Sequence, residues 1–237
     1  MERREYKIVT PTDVLQSLPV RSAQGAKLGS FSVVVLKLPV KEKKALRKMA
    51  RLVVQRKALK KRASQKSGFI YGYGHQKTNR NPHCPAYVNR LSAEDNAFVN
   101  NVRSMLTEKT LEALRARGNA KHLYTLVSQD LVTSEHTDEK DLTTLTATLW
   151  IYSESYQGYT RYFLIKTYEE GVAKYYKVPL YDGVAIRWVG KYHPHATEEH
   201  RHRGRTITRE IYGLFIGHNH TAPSYQKKRK RRESRAV

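Results

Sequence analysis

The second half of the chain alternates apolar and polar residues, and this pattern restricts the fold more than any other feature. In LTTLTATLWIY, residues 142–152, four apolar side chains alternate with threonines and a tryptophan. Successive side chains of a strand point to opposite faces, so a period of two predicts a half-buried β-strand. Further strand-like runs follow, separated by Glu170-Gly171 and Asp182-Gly183, which are typical hairpin turns. We therefore predict an antiparallel β-meander of about five strands over 142–217.

The first half predicts helices. Residues 41–66, KEKKALRKMARLVVQRKALKKRASQK, contain no Gly or Pro and carry a heptad-spaced apolar stripe, which predicts a long basic amphipathic helix. A second helical pattern begins at Ser92 and extends towards Gly118, with a Gly- and Pro-rich loop between the two at 68–90. Residues 31–38 are Val-rich and predict a short buried strand.

These elements predict an α+β fold, with a basic helical N-terminal half followed by the β-meander. We expect a single domain over residues 31–220, in which 41–118 are helical and 142–217 are β-rich. An irregular N-terminal arm at 1–30 precedes it, and a disordered basic tail at 221–237 follows it.

The composition is strongly basic, with 44 Lys and Arg against 21 Asp and Glu, a formal net charge of +23. A charge of this size repels itself, so an anionic partner is expected to neutralise it. Nucleic acid or nucleoprotein is the first choice, and an anionic membrane surface is the second. The single cysteine, Cys84, excludes an intrachain disulfide and indicates an intracellular protein. The longest dense apolar run is too short for a membrane span.

The basic residues form three blocks with few interleaved acids, namely 41–66, 187–209 and the tail. Lys and Arg bind phosphate without regard to sequence, and no zinc finger or other base-reading motif is present. The predicted nucleic-acid-binding residues are Lys43, Lys44, Arg47, Lys48, Arg51, Arg56, Lys57, Lys60, Lys61, Arg62, Arg201, Arg203 and Arg205.

The tail contains six consecutive basic residues, KKRKRR, which resemble the short extended peptides bound by a nuclear-import receptor. The predicted import signal consists of Lys227, Lys228, Arg229, Lys230, Arg231 and Arg232. Phosphate binding by the same residues and a tail without a function remain as alternatives.

The histidines offer the strongest hint of chemistry, since six of the ten lie within 193–220. They form three His-x-His pairs, at 193 and 195, 200 and 202, and 218 and 220, and in a strand the two histidines of each pair would share one face and could bind a metal. Pro194 and the neighbouring arginines argue against this interpretation, and Cys84 is interpreted as an ordinary thiol. The stretch EHTDEKD at 135–141 is the one concentration of negative charge in the sequence. The sequence therefore predicts no catalytic residue, no metal ligand, no cofactor and no enzyme.

In size, charge and the KKRKRR tail, the chain resembles the matrix protein of nucleus-replicating plant rhabdoviruses. The resemblance implies a structural protein of the virion that condenses nucleocapsid and contacts membrane. We accordingly predict a non-enzymatic basic protein that binds and condenses nucleic acid, forms homo-oligomers and enters the nucleus. The alternatives are a cellular RNA-binding protein, ribosomal or nucleolar, and a metal-dependent nuclease that uses the histidine cluster.

Overall fold

The computed structural model describes residues 5–55, 63–73, 91–116, 123–138, 146–152, 159–190, 192–201 and 211–218. These parts of the chain form eleven strands and two helices. In chain order they are β1 (Glu5–Ile8), β2 (Gln16–Arg21), β3 (Lys27–Val35), α1 (Val40–Val54), β4 (Gln65–Tyr73), α2 (Ala93–Ala113), β5 (Leu123–His136), β6 (Thr146–Tyr152), β7 (Tyr159–Glu169), β8 (Val172–Leu180), β9 (Val184–Trp188), β10 (His195–Arg201) and β11 (Ile211–His218).

All eleven strands belong to one sheet, in the order β1-β8-β7-β10-β5-β11-β6-β9-β3-β2, with β4 paired to β5 outside this path. Every pairing is antiparallel except that of β1 with β8. The sheet folds over so that strands near its two ends meet. The main-chain N–H of Arg21 on β2 donates to Thr167 Oγ1 on β7 at 3.0 Å, and the Phe31 and Tyr176 rings lie 5.1 Å apart. The result is a jelly-roll-like sandwich.

Two apolar clusters hold the sandwich together. The inner cluster fills the space between the two layers and includes Phe31, Phe163 and Trp188. The outer cluster joins the helices to the sheet, with Leu46 of α1 and Leu106 of α2 among its buried members. Burial of such side chains is the main favourable contribution to folding. The helices therefore cover the outside of the sheet, and the space between the layers stays free of them.

Several local predictions are confirmed. Strands β6, β7, β8 and β9 lie within the alternating runs, and β3 covers most of the Val-rich segment. Glu170 and Gly171 adopt φ values of 50° and 78° in the turn between β7 and β8, and positive φ at both central residues is typical of the hairpin predicted there. The hairpin predicted at Asp182-Gly183 is wrong, because β8 and β9 are not neighbours in the sheet, although Gly183 does adopt a φ of 87° in a turn. Ser92 caps α2, since its Oγ accepts a hydrogen bond from the Asp95 N–H at 3.1 Å.

The predicted fold class is wrong, because the first half of the chain is not a helical half. It contributes strands β1 to β4, two of them within the predicted irregular arm. The helix predicted over 41–66 ends at Val54, and Gln65–Tyr73 form strand β4 instead. Arg56 interrupts the apolar stripe of the sequence after Leu52, close to the point where the helix ends. Aromatic residues in GFIYGY then favour a strand that pairs with β5.

The β-meander is also wrong. Only β7 and β8 pair as chain neighbours in the second half, whereas β6 lies between β11 and β9. Strand β10 lies within the histidine- and arginine-rich segment, where no strand was predicted, and β5 settles the ambiguous region near 121–132 as strand. Among the described residues, neither helix is long and apolar enough to cross a membrane. The tail at 221–237 lies outside the described residues.

Candidate metal centre

Three side chains with metal-binding atoms meet where β5 ends and β10 begins. His136 is the last residue of β5, Asp138 follows two residues later, and His195 is the first residue of β10. The pairing of these antiparallel strands places His195 opposite His136. One ligand atom from each of the three residues lies within 4.8 Å of the other two. Such spacing suits a single metal ion.

Main-chain carbonyl groups set the tautomers of the two histidines. His136 Nδ1 lies 2.8 Å from the Ser134 carbonyl oxygen, and His195 Nδ1 lies 2.8 Å from the His193 carbonyl oxygen. A carbonyl only accepts, so each Nδ1 carries the proton and donates it. In this tautomer the Nε2 atom of each ring is the one without a proton, as a metal ligand requires.

Both Nε2 atoms face the same carboxylate. His136 Nε2 is 3.9 Å from Asp138 Oδ1, and His195 Nε2 is 3.5 Å from Asp138 Oδ2. With neutral rings in these tautomers, three acceptor atoms converge on one point. A divalent cation stabilises such an arrangement, because it provides the positive charge that the converging lone pairs share.

The surroundings of the centre are asymmetric. His195 is buried, and its ring lies 5.4 Å from the Trp188 ring and 5.7 Å from the Phe163 ring, both in the inner cluster. The side chains of His136 and Asp138 are 22% and 21% exposed. One side of the centre is therefore apolar, and the side formed by His136 and Asp138 is partly exposed to solvent.

The connection between β9 and β10 is hydrogen-bonded to the residues of the centre. The Asp138 N–H donates to the Gly190 carbonyl oxygen at 2.8 Å, which ties the residue after β5 to this connection. His193 lies in the same connection and is buried. Its Nδ1 accepts a hydrogen bond from the Val189 N–H at 3.2 Å, and its Nε2 lies 3.3 Å from the Leu28 carbonyl oxygen.

The hypothesis that His193 and His195 form a metal-binding pair is therefore not what the structure shows. Only His195 belongs to the centre. Burial lowers the pKa of His193 below its usual value, and the hydrogen bond to Leu28 opposes this effect more weakly. His193 is a neutral residue held by the main chain.

None of the predicted nucleic-acid-binding residues that the structure describes is a member of this triad. On α1, Lys44, Lys48 and Arg51 are exposed and Arg47 is partly buried, whereas Lys43 forms an ion pair with Asp182 at 2.8 Å. Arg201 belongs to β10. The other predicted contacts and the import signal fall outside the described residues; they are Arg56, Lys57, Lys60, Lys61, Arg62, Arg203, Arg205 and Lys227 to Arg232.

His136 and Asp138 were not predicted as ligands, because EHTDEKD was interpreted only as a cluster of charge. A signal was present in the sequence, namely the His-x-Asp spacing of these two residues together with the histidines later in the chain. Two histidines and one carboxylate are a known ligand set for iron.

The predictions of no enzyme and of a structural protein are contradicted by this cluster of two histidines and one carboxylate, whose ligand atoms lie close enough together to hold one metal ion. The description as a matrix or coat protein is corrected with them.

Comparison with known proteins gives only distant likenesses. No family model and no curated protein matches the chain. Three solved structures align with about four fifths of it. They are a Pseudomonas putida prolyl-4-hydroxylase (14% identity, TM-score 0.47, 80% of this chain and 92% of the other), OsALKBH1 (13%, 0.43, 80% and 96%) and a Burkholderia pseudomallei oxidoreductase of the 2OG-Fe(II) oxygenase family (12%, 0.49, 79% and 84%). Likeness of this degree assigns no activity, so the assignment below rests on the triad.

Proposed function

We propose that the protein is a non-haem iron enzyme, an Fe(II)-dependent oxygenase. The observation that carries the proposal is the triad of His136, Asp138 and His195, whose ligand atoms lie within 4.8 Å of one another. Two histidines and one carboxylate on one face of a metal leave its remaining positions open, and non-haem Fe(II) oxygenases use this arrangement.

The residues present fit ferrous iron. Two neutral imidazoles and one carboxylate leave a divalent ion with a net positive charge, which favours binding of a further anionic ligand. Iron bound there would supply the activation of O₂. The chain itself contributes three effects: Ser134 and His193 orient the imidazoles through their carbonyl oxygens, Asp138 neutralises one charge, and the rings of Trp188 and Phe163 keep water from the inner side.

A 2-oxo acid is the co-substrate that makes the electron count balance. O₂ requires four electrons, of which oxidation of a substrate C–H bond to C–OH supplies two. Oxidative decarboxylation of 2-oxoglutarate to succinate and CO₂ supplies the other two. One oxygen atom then enters the hydroxyl group and the other enters succinate. 2-Oxoglutarate is the 2-oxo acid that we propose to test first.

The proposal is tested by succinate formation. Metal-free protein is loaded with Fe(II) under argon, given 2-oxoglutarate and exposed to O₂. We expect succinate to form in an amount that requires both iron and protein. Asp138→Ala should reduce the rate by more than about 100-fold, because loss of a ligand costs more than the 10- to 100-fold loss typical of outer-shell changes.

Asp13→Ala is the matched control, since it removes an exposed carboxylate that pairs with Lys37 far from the triad in sequence. It should leave the rate unchanged. Equal rates for the wild type and Asp138→Ala, or no succinate above that produced by free iron, would show that the protein is not such an oxygenase.

A further inference from the structure

We infer that His193 is a positioning residue: it locks the connection between β9 and β10, and this connection orients two of the three metal ligands. The inference rests on the metal centre of the proposed function. It assigns a role to a histidine that does not itself touch the metal site.

Two ligands from different parts of the fold depend on this one connection. The Gly190 carbonyl accepts the Asp138 N–H at 2.8 Å, and the His193 carbonyl accepts the Nδ1–H of His195 at 2.8 Å. The first contact fixes the main chain of the carboxylate ligand, and the second fixes the ring of the imidazole ligand. A shift of the connection would therefore displace both ligands together.

The His193 ring makes one hydrogen bond within the connection and one to strand β3. Its Nδ1 accepts the Val189 N–H at 3.2 Å, while the His193 N–H donates to the Val189 carbonyl at 2.9 Å, which closes the turn. Since Nδ1 accepts, the proton is on Nε2, which donates to the Leu28 carbonyl of β3 at 3.3 Å. The ring thus ties the turn to the strand layer that carries β3.

The ring is enclosed by the protein, since His193 is fully buried. Both ring nitrogens are used in hydrogen bonds to the main chain, so neither is free to bind metal. The tautomer of His193 is therefore opposite to that of His195, although the two residues are separated only by Pro194.

The test measures metal affinity with all three ligands still present. Metal-free wild type, His193→Ala and His193→Asn are titrated with Co(II), and the visible d–d absorption reports both affinity and coordination geometry. We expect His193→Ala to weaken Co(II) binding by about 10- to 100-fold, the range for loss of an outer-shell partner. His193→Asn should restore part of the affinity, because its Oδ1 can accept the Val189 N–H.

Leu106→Ala is the matched control, since it removes a fully buried side chain from the cluster between the helices and the sheet. It should lower the free energy of unfolding while leaving Co(II) affinity and the absorption spectrum unchanged. If His193→Ala does not fold, the comparison is made between the wild type and His193→Asn.

The possible outcomes separate the two claims. A wild-type protein without a Co(II) site would contradict the metal centre itself. A wild type that binds Co(II), together with His193 variants of equal affinity and spectrum, would overturn only the role of His193. An affinity loss in Leu106→Ala as large as in His193→Ala would also overturn it, because the effect would then follow from global stability.

Discussion

The two histidines of the candidate metal centre and the neighbouring His193 differ in which ring nitrogen carries the proton. His136 and His195 donate through Nδ1 to the carbonyl of the residue two positions earlier, and this leaves Nε2 for a metal. His193 has the opposite tautomer, because its Nδ1 accepts a main-chain N–H. Chemically identical side chains thus become either ligand or support according to their main-chain partners.

At the residue scale, we predict that Gly183→Ala destabilises the fold more than Gly171→Ala. Both glycines have positive φ, 87° and 78°, so each substitution introduces backbone strain. At Gly183 a Cβ would also lie 2.6 Å from the Leu36 carbonyl oxygen, whereas at Gly171 no described atom lies within 4 Å. We expect the free energy of unfolding to fall by about 1–3 kcal/mol more for Gly183→Ala. Urea denaturation of both variants measures the difference, and equal losses would show that the turn relaxes away from Leu36.

The turn residues could be predicted from the sequence, whereas the roles of the histidines could not. The hairpin at Glu170-Gly171 was predicted from the local sequence, and β7 and β8 pair across it. Asp182-Gly183 was predicted as a hairpin too, but β8 and β9 do not pair, because the partner of a strand depends on distant residues. The division of work between His193 and His195 was not predictable in this way. A spacing of two places both residues on one face only if both lie in a strand, and His193 lies in the turn before β10.

At the element scale, α1 presents a basic face away from the sheet. Lys41, Lys44, Lys48 and Arg51 are exposed and recur every three or four residues, which aligns them along one side of the helix. Lys48 Nζ also lies 4.7 Å from the centre of the Phe98 ring of α2. Nucleic acid therefore remains the predicted partner, and the predicted surface is now this face of α1.

Changing Lys41, Lys44 and Lys48 to Gln should reduce the salt dependence of nucleic-acid binding. Each lost phosphate contact contributes about 0.9 to the slope of log K against log salt, so we expect the slope to flatten by about 2–3. Fluorescence anisotropy with a labelled RNA or DNA at several salt concentrations measures it.

The control for this prediction changes Lys27, Lys37 and Lys66 to Gln, which removes the same charge from scattered exposed positions. This variant should change the slope much less. Equal slopes for the two triple variants would indicate that only net charge matters, and loss of binding to anionic vesicles alone would favour a membrane partner.

Elements with a strong local pattern were predicted, and elements held by their neighbours were not. Strand β6 follows from its period of two and α2 from its Ser92 cap. Strand β10, HATEEHR, has no such period. It lies between β7 and β5 and is held by main-chain pairing on both sides. Pairing of this kind depends on distant residues and leaves little trace in a single sequence.

At the scale of the whole molecule, the centre exists because the sheet brings β5 and β10 together. His136 and His195 are far apart in the sequence and become neighbours only through this antiparallel pairing. Most strands that are neighbours in the sheet are not consecutive in the chain, and such an order could not be derived from local periodicity. Nuclear accumulation through Lys227 to Arg232 stays a prediction from the sequence.

The most direct test of the metal centre is the position of the metal in a crystal grown under argon with Fe(II). Anomalous diffraction at the iron edge should show one peak per chain. It should lie about 2.0–2.2 Å from His136 Nε2, His195 Nε2 and an Asp138 carboxylate oxygen, the usual range for metal bonds to these atoms. A peak bound by other histidines, or an empty triad in an iron-soaked crystal, would contradict the assignment of this protein as an iron enzyme.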